Sequence, residues 1–308
     1  MKIAVLGAGA MGSAMGALLV KSGNDVTLID VRREAVDAIN IRGLQIEDKL
    51  GNTETLRIPA TDNPTSIGPV DLILVFVKCY HTEAAVRAVL PLVGADTTIL
   101  SLQNGWGNGP RIASIVGEEK LLLGVSYHSA TVLGPGRVLH GGRGMTFMGE
   151  PSGRMSARLE RVAAAFNRAG IEVTASVTIV KEIWSKLSLN VCTLPTSALL
   201  RIYAQKLIQH DGTARLMKAL LREVVIVAHA QSIPLDYDER WDAISGLLKR
   251  LAPTIKGSML QDVERSQQTE IDVINGAVVD AGRKFAIPTP YNETMFWMVK
   301  SLEETFVS

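Results

Sequence analysis

Short apolar runs and helical patterns alternate through the first hundred residues. Residues 2–6 and 25–30 are apolar, β-branched runs, separated by a glycine-rich turn and a stretch of helix-forming Ala, Met and Leu. This order predicts a βαβ unit. Residues 72–77 and 97–102 are further strand candidates, with a helical pattern over residues 82–92 between them. Together these segments predict a parallel, doubly wound α/β sheet.

The middle of the chain has a weaker strand pattern. Residues 43–69 alternate only weakly and are rich in Thr, Asn and Asp, which predicts short strands or loops. Residues 121–149 are apolar and glycine-rich, which predicts hairpin strands that extend the sheet.

Helical periodicity dominates after about residue 180. Leu, Ile, Val and Ala recur every three or four positions, most clearly over residues 213–231 and 271–285. We therefore expect two domains, an α/β domain over residues 1–179 and an all-helical domain over residues 180–308.

The composition is that of an ordinary globular protein. Of its 308 residues, 47% are hydrophobic and 20% are charged, and 32 Lys and Arg balance 31 Asp and Glu. This balance offers no broad positive field, so we expect neither a nucleic-acid nor a membrane partner. Cys79 and Cys192 lie far apart without metal-ligand spacing, so we expect no metal site, no disulfide framework and a cytoplasmic location.

A GxGxxG motif lies between the first predicted strand and the first predicted helix. In such a motif the backbone amides and the helix N-terminus hold a pyrophosphate, which side chains at the glycines would block. The alternative is a tight connection without a ligand. Asp30 ends the second predicted strand, at about the separation expected of an acid that binds the ribose. We therefore expect a Rossmann-type domain that binds a nicotinamide dinucleotide through Gly7, Ala8, Gly9, Ala10, Met11 and Gly12.

Asp30 also bears on which dinucleotide binds. A carboxylate at this position accepts hydrogen bonds from a ribose 2′-hydroxyl and repels a 2′-phosphate, which favours NADH. Arg32 and Arg33 follow directly, and a guanidinium there would bind the 2′-phosphate of NADPH. A third explanation is that Asp30 only caps the next helix while both arginines are solvated. The sequence leaves this choice open.

Four further segments carry a family resemblance. They are FVKCYHT from residue 76, SLQNGWG from residue 101, KEIWSKLSLN from residue 181 and SMLQDVERSQQTEIDVING from residue 258. In this order, and together with the glycine motif, they resemble the 2-dehydropantoate 2-reductase (ketopantoate reductase) family over nearly the whole chain. The resemblance implies a Rossmann domain followed by a helical domain, and NAD(P)H-dependent reduction of 2-dehydropantoate to pantoate in pantothenate biosynthesis. It also favours NADPH over NADH.

By this resemblance Lys186 and Glu270 are the catalytic residues. Lys186 would be the general acid that protonates the alkoxide formed as hydride reaches the carbonyl carbon, and Glu270 would contact the reacting hydroxyl. A partly buried ammonium suits this role because burial lowers its pKa toward the working pH. Without the resemblance, Lys186 is explained by a surface ion pair with Glu182, and Glu270 by a solvated acid beside a helix.

The resemblance also suggests residues that bind the ligands. Ser258 would contact the substrate carboxylate, Asn190 would bind the substrate or orient the lysine, and Lys78 would lie near the cofactor or the substrate. Asn104 follows a predicted strand, where ligands bind in open α/β sheets, so we expect it to contact both cofactor and substrate. Simpler explanations are a capping box of Ser258 with Gln261 and an Asn-Gly turn at Asn104. For Asn190 the simpler role is to satisfy a neighbouring backbone group.

Three positions depart from the family pattern. Leu194, Ala204 and Ile255 stand where the resemblance leads us to expect substrate-binding asparagines. A leucine cannot hydrogen-bond a hydroxyl, so either the hydroxyl end of 2-dehydropantoate is bound elsewhere or the substrate is a more apolar 2-oxo acid. The exact substrate stays open.

Three functions remain open from the sequence. The first is an NAD(P)-dependent oxidoreductase acting on CH–OH groups, with 2-dehydropantoate as substrate. The second is a paralogous NAD(H)-dependent dehydrogenase of another oxo or hydroxy acid. The third is a catalytically silent dinucleotide-binding sensor, against which the joint presence of Lys186 and Glu270 argues. The partner expected for the enzyme is a small 2-oxo acid, and a homodimer is one option for the assembly.

Overall fold

The computed structural model describes residues 1–306, which form two compact units. One unit comprises residues 1–103 and 108–179, and the other comprises residues 104–107 and those from 180 onward. All described strands lie in the first unit, and the described part of the second unit is built from helices and loops. The predicted fold class, a Rossmann-type α/β sheet followed by a helical region, is confirmed.

Eight strands form the main sheet of the first unit. Their order is β12-β11-β8-β7-β6-β1-β2-β5, and neighbours pair in parallel except β8 with β11. The central strands are buried on both faces, which explains their nearly continuous apolar sequences. The strands in the described residues are β1 (Lys2–Leu6), β2 (Asp25–Ile29), β3 (Leu44–Asp48), β4 (Thr53–Leu56), β5 (Ala60–Thr61), β6 (Val70–Val75), β7 (Val93–Ser101), β8 (Leu121–Ser126), β9 (Ser129–Gly134), β10 (Arg137–Gly142), β11 (Thr146–Gly149) and β12 (Val173–Ala175).

Five α-helices accompany the strands in the described residues of the first unit. The helical pattern over residues 82–92 forms a shorter helix than predicted, followed by a 3-10 helix over Leu90–Leu92. Pro91 explains the break, because proline lacks the amide that an α-helix would need there. The five helices are α1 (Ala10–Lys21), α2 (Arg33–Arg42), α3 (Thr82–Ala88), α4 (Asn108–Val116) and α5 (Ala157–Arg168).

The hairpin formed by β9 and β10 belongs to a second, four-stranded sheet in the same unit. That sheet has the order β4-β3-β10-β9, and β10 pairs in parallel with β3. The prediction that residues 121–149 extend the main sheet is therefore correct for β8 and β11 but wrong for β9 and β10. Helix α1 explains the difference, because it packs against β1 and β2 on one side and against β3, β9 and β10 on the other.

Coverage by both sheets makes α1 a buried helix. All of its residues from Gly12 to Leu19 are buried, and most of them are small or apolar. Gly9, Ala10 and Met11, at its N-terminus, are only partly buried. The N-terminal end of α1 is thus the part of this helix open to a ligand.

The second unit is held together by apolar helix packing and by a buried carboxylate. Glu223 accepts hydrogen bonds from the backbone amides of Tyr291 and Asn292, both at 2.9 Å, and from the Asn292 side chain at 2.7 Å. A carboxylate is favourable there because these amides belong to the first turn of a helix. The described helices are α6 (Ile179–Leu200), α7 (Asp211–Ala230), α8 (Tyr237–Arg250), α9 (Ser258–Glu264), α10 (Asn275–Lys284) and α11 (Pro290–Glu304), with 3-10 helices over Ala204–Ile208 and Ile271–Val273.

Candidate active site

The glycine motif forms the turn between β1 and α1. Gly7 has a φ angle of +103°, which residues with a side chain rarely adopt. A Cβ atom there would lie 2.9 Å from the Val77 amide nitrogen. A Cβ atom on Gly12 would lie 2.0 Å from the Gly7 carbonyl oxygen. Both glycines are therefore required by the turn itself.

Gly9 has a different role, because the protein leaves space around it. A Cβ atom added there would meet no described atom within 4 Å, and its φ angle of −74° is accessible to any residue. Gly9 is the N-cap of α1, so the amides of Ala10 and Met11 lack partners inside the helix. The Ser13 hydroxyl braces the turn by donating to the Ala8 carbonyl oxygen at 3.0 Å. Open space above free helix amides fits a pyrophosphate, so these residues suit a dinucleotide.

Asp30 follows β2, and its buried carboxylate binds Arg32. Oδ1 accepts from the Arg32 backbone amide at 3.0 Å and from Nε at 2.9 Å, while Oδ2 accepts from Nη2 at 2.9 Å. Arg33 instead pairs with Asp62 at 2.9 Å. The explanation that Asp30 caps the next helix is wrong, because Arg32 is the N-cap residue of α2. The Arg32 guanidinium is held by Asp30 in a two-bond pair.

Lys78 lies at the same edge of the main sheet as the glycine motif. β1 and β6 are neighbours, and the Phe76 amide donates to the Leu6 carbonyl oxygen at 2.9 Å. Gly7 and Lys78 therefore follow the carboxyl ends of adjacent parallel strands, the edge at which ligands bind in open α/β sheets. Lys78 is partly buried and begins the 3-10 helix over Cys79–His81 as its N-cap.

The second unit brings Lys186 and Asn104 together. Lys186 lies on α6, and its Nζ donates a hydrogen bond to Asn104 Oδ1 at 3.0 Å. The Asn104 side chain thus has a partner beyond its own Asn-Gly turn, and it fixes the direction of the lysine amine. Asn190 is buried on α6, one helical turn after Lys186.

Burial changes the acidity of Lys186. It lowers the pKa of this lysine to about 8, and the negative charge of Glu270 partly opposes that shift. Glu270 is itself buried and directly precedes the 3-10 helix over Ile271–Val273. The explanation of Lys186 as part of a solvated ion pair with Glu182 does not fit this burial. The explanation of Glu270 as a solvated acid does not fit either. An ammonium group with this pKa is charged at neutral pH and gives up its proton readily, as a general acid must.

The residues that hold the loop of Asn104 in place were not predicted from the sequence. The Trp106 amide donates to the Val273 carbonyl oxygen at 2.8 Å, which ties the loop after Asn104 to the segment that follows Glu270. The Trp106 ring also lies near the Trp184 ring, with 6.2 Å between the ring centroids. The tryptophan in SLQNGWG was the available signal, since a large aromatic in a glycine-rich turn indicates packing.

Ser258 is exposed and begins α9, but it does not cap that helix. The N-cap of α9 is Gly257, which has no side chain to cap the helix amides. Gln261 Nε2 donates to the Lys256 carbonyl oxygen at 3.3 Å instead. The capping box of Ser258 with Gln261 is therefore wrong, and the Ser258 hydroxyl needs another explanation.

Comparison with known proteins identifies the family. A family model described as ketopantoate reductase PanE/ApbA matches residues 3–153, and the model of its C-terminal part matches residues 178–303. The chain belongs to the ketopantoate reductase family. The 2-dehydropantoate 2-reductase of Pyrococcus horikoshii is 34% identical over 310 residues, covering 98% of both chains. That of Halobacterium salinarum is 30% identical and covers 97% of this chain and 98% of the relative.

Solved structures agree with this assignment. A D-mandelate dehydrogenase with NADH and anilino(oxo)acetate superposes with a TM-score of 0.95 at 29% identity, covering 99% of both chains. A PanE/ApbA family ketopantoate reductase from Ralstonia eutropha JMP134 superposes with a TM-score of 0.90 at 30% identity, covering 100% of both chains. The resemblance stated from the sequence motifs is therefore confirmed, and the protein is an oxidoreductase of this family.

Three further observations bear on the class of protein. None of the helices in residues 1–306 is long and apolar enough to cross a membrane. Within the same residues, no group of three or more His, Cys, Asp or Glu side chains is arranged to hold a metal ion. Cys79 and Cys192 are both buried, and neither is in a disulfide.

Proposed function

We propose that this protein reduces a 2-oxo acid to the corresponding 2-hydroxy acid with NADH, and that it converts 2-dehydropantoate to pantoate. The observation that carries this proposal is the partly buried Lys186, held by Asn104 and influenced by Glu270. When bound, the nicotinamide supplies the hydride that forms the new C–H bond at the carbonyl carbon.

The residues of the second unit would carry the rest of the reaction. As the C=O π bond breaks, the oxygen takes a proton from Lys186 Nζ, and the ammonium stabilises the negative charge that develops before transfer. Asn104 Oδ1 orients Nζ, and Glu270 helps to keep the lysine charged while it contacts the new hydroxyl. Ser258 and Asn190 would bind the substrate, Ser258 at its carboxylate.

The residues of the first unit would bind the cofactor. The open space at Gly9 and the first amides of α1 suit the pyrophosphate, while Lys78 lies at the same sheet edge. We accordingly propose residues 1–179 as the dinucleotide-binding domain and residues 180–308 as the substrate domain, with Asn104 as the exception that serves the second.

The pH dependence of turnover tests this mechanism. Reduction needs the Lys186 ammonium, whose pKa is about 8, so kcat/KM for 2-dehydropantoate should be flat below pH 8 and fall above it. Oxidation of pantoate needs the neutral amine, so its rate should rise with pH and level off above pH 8. Initial rates in both directions between pH 6 and about 10 give the two profiles. Profiles of the same shape in both directions would rule out Lys186 as the proton donor.

NADH is the cofactor that the surroundings of Asp30 favour. Asp30 Oδ2 accepts only one hydrogen bond from Arg32, so a ribose 2′-hydroxyl can bind the same oxygen without breaking the pair. A 2′-phosphate would instead have to separate Arg32 from Asp30 and lie beside a buried carboxylate, which costs free energy. A D-mandelate dehydrogenase of similar structure was solved with NADH, which supports the same choice.

We expect the wild-type protein to prefer NADH over NADPH by at least tenfold in kcat/KM. A tenfold ratio is the effect expected from one repulsive contact between the Asp30 carboxylate and the 2′-phosphate. Asp30→Ala removes the repelling carboxylate and releases Arg32 for a phosphate, so it should lower that preference about tenfold or more. Asp71→Ala is the matched control, since this acid lies at the start of β6 and binds the Lys2 amide. An NADPH preference in the wild-type protein, or an unchanged ratio in Asp30→Ala, would refute the assignment.

Two expectations about partners and place stay predictions. A homodimer stays a prediction, and so does a cytoplasmic location, which the two cysteines, both buried and outside any disulfide, favour. A dinucleotide-binding sensor is the less favoured function, because it gives no reason for the grouping of Lys186, Asn104 and Glu270.

A further inference from the structure

We propose that Glu303 on α11 is a positioning residue for the proposed reduction: it holds Thr269 and thereby fixes the backbone of Glu270. The inference rests on the proposed function, in which Glu270 acts beside Lys186, and it adds a residue that touches neither substrate nor cofactor. Thr269 and Glu303 are 34 positions apart, so no local sequence pattern links them.

One carboxylate oxygen of Glu303 binds Thr269 twice. Glu303 Oε1 accepts hydrogen bonds from the Thr269 backbone amide at 2.8 Å and from the Thr269 hydroxyl at 2.6 Å. Thr269 is fully buried, and the Glu303 side chain is only 9% exposed, so water competes little for these bonds. Hydrogen bonds to an ionised acceptor are stronger than those between neutral groups. Together the two bonds fix the position of Thr269 relative to α11.

The segment around Glu270 is held on both sides. Thr269 directly precedes Glu270, and its Oγ1 atom accepts a hydrogen bond from the Ile271 amide at 3.2 Å. The Glu270 carbonyl oxygen accepts from the Val273 amide at 3.1 Å. The Val273 carbonyl oxygen is in turn bound by the Trp106 amide. These bonds restrict the backbone of Glu270, so the direction of its side chain depends on where Thr269 is held.

Lys300 holds the other carboxylate oxygen of Glu303. Its Nζ atom lies 3.0 Å from Glu303 Oε2 and 3.4 Å from Asp272 Oδ2. Burial opposes the ammonium charge, but the hydrogen bond to Glu303 and the charges of Asp272 and Glu303 outweigh it and raise the pKa of Lys300. A carboxylate in the last turn of a helix is otherwise unfavourable, because the helix dipole is negative there. Lys300 compensates for this cost and leaves Oε1 directed at Thr269.

The position of Glu270 matters because its charge acts on Lys186. Burial lowers the pKa of Lys186 to about 8, and the charge of Glu270 opposes that shift. The attraction between the two charges weakens with distance, so a displaced carboxylate would let the pKa of Lys186 fall further. A misplacement of about 1 Å in a catalytic arrangement costs up to roughly a hundredfold in rate. Loss of the bonds to Thr269 should therefore affect both turnover and its pH dependence.

Glu303→Ala removes these bonds and is the first test. We expect kcat/KM for 2-dehydropantoate with NADH to fall by about tenfold or more. The decline of kcat/KM with rising pH should also begin at least about 0.5 pH unit lower than in the wild-type protein. Glu304→Ala is the matched control, since Glu304 is exposed on the same turn of α11, and it should stay within about twofold of wild type. A Glu303→Ala protein with wild-type turnover would overturn the inference.

Glu303→Gln separates position from charge. The glutamine side chain keeps an oxygen that accepts both bonds from Thr269, and Lys300 keeps Asp272 as a partner. We therefore expect kcat/KM within about threefold of wild type and an almost unchanged pH profile. Equal losses in Glu303→Gln and Glu303→Ala would show that turnover depends on the charge of Glu303 rather than on its bonds to Thr269, which contradicts the inference.

Glu270→Ala distinguishes positioning from general support of the fold. A residue that acts through Glu270 has nothing to position once that carboxylate is gone, so adding Glu303→Ala should lower kcat/KM by less than about twofold further. A purely structural role would cost the same factor with or without Glu270. A further loss of about tenfold in the double variant would therefore overturn the inference. Wild-type turnover in Glu270→Ala alone would overturn it as well.

A second pair of variants decides if thermal unfolding shows that Glu303→Ala does not fold. Thr269→Val removes the hydroxyl but keeps the amide bond to Glu303, whereas Thr269→Ser keeps both bonds. We expect kcat/KM of Thr269→Val to fall by about fivefold or more and that of Thr269→Ser to stay within about threefold of wild type. Equal kcat/KM values in these two variants would contradict the inference. The proposed function fails by a different result, namely a wild-type protein that reduces no 2-oxo acid with either NADH or NADPH.

Discussion

Replacing Lys186 with methionine should lower kcat for reduction by about a thousandfold while leaving the protein folded. A positioned general acid contributes roughly 10²- to 10⁴-fold, and methionine keeps the length of the side chain without a proton to give. The measurement is steady-state reduction of 2-dehydropantoate with NADH. Lys181→Met, on the first turn of the same helix, should stay within about twofold of wild type. Turnover of the Lys186→Met protein within a few-fold of wild type would exclude this lysine as the acid.

The same variant should be at least as stable as the wild-type protein. Burial lowers the pKa of Lys186 from 10.5 to about 8, so the folded protein binds this proton less tightly than the unfolded chain. The ammonium therefore costs stability below pH 8, and this cost shrinks as the pH rises toward 10.5. Thermal unfolding should show Lys186→Met gaining most at neutral pH. A loss of stability at neutral pH would mean that the lysine charge is favourable to the fold.

Gly9→Thr should weaken NADH binding by about 100-fold, or about 2.7 kcal/mol, with little change in stability. A Cβ atom at Gly9 would meet no described atom within 4 Å, and threonine is about as good an N-cap as glycine. The free energy of unfolding should therefore change by less than about 1 kcal/mol. The new side chain would occupy the space proposed for the pyrophosphate. Titration of NADH fluorescence measures the affinity, and thermal unfolding measures the stability.

Gly12→Thr provides the contrast for that experiment. A Cβ atom at Gly12 would lie 2.0 Å from the Gly7 carbonyl oxygen, so the turn must distort and the protein should lose about 3 kcal/mol of stability or fail to fold. If Gly9→Thr bound NADH as the wild type does, the pyrophosphate would not lie against this glycine. The two variants separate a glycine needed by the ligand from one needed by the fold.

The sequence predicted the local elements of the sheet well because their signals are local. β1 ends where the glycine motif begins, and β2 ends beside Asp30, since apolar runs and glycines in short windows specify strands and turns. The prediction failed for the hairpin of β9 and β10. Its residues are typical of strands in either sheet, and only the need to cover α1 assigns them to the second one.

The proposed catalytic group shows a similar division. The motif KEIWSK suggested Lys186 through a family resemblance, but its surroundings were not legible in the sequence. Lys186 and Asn104 are 82 positions apart, and no pattern in a local window links them. The lowered pKa of Lys186 also depends on burial by distant segments. The loop that contains Asn104 likewise depends on a distant segment, because the Trp106 amide binds the Val273 carbonyl oxygen.

The sequence by itself therefore determined the βαβ start of the parallel sheet, the glycine turn between β1 and α1, the helical character after about residue 180 and the residue types available for the proposed chemistry. Spacing and side-chain chemistry along a short stretch of chain suffice for these features. Only the tertiary structure decided that Asn104 meets Lys186, that Ser258 does not cap its helix and that Leu194 packs against Gly257. Such contacts join segments that are far apart in sequence, and they form only when the whole unit packs together.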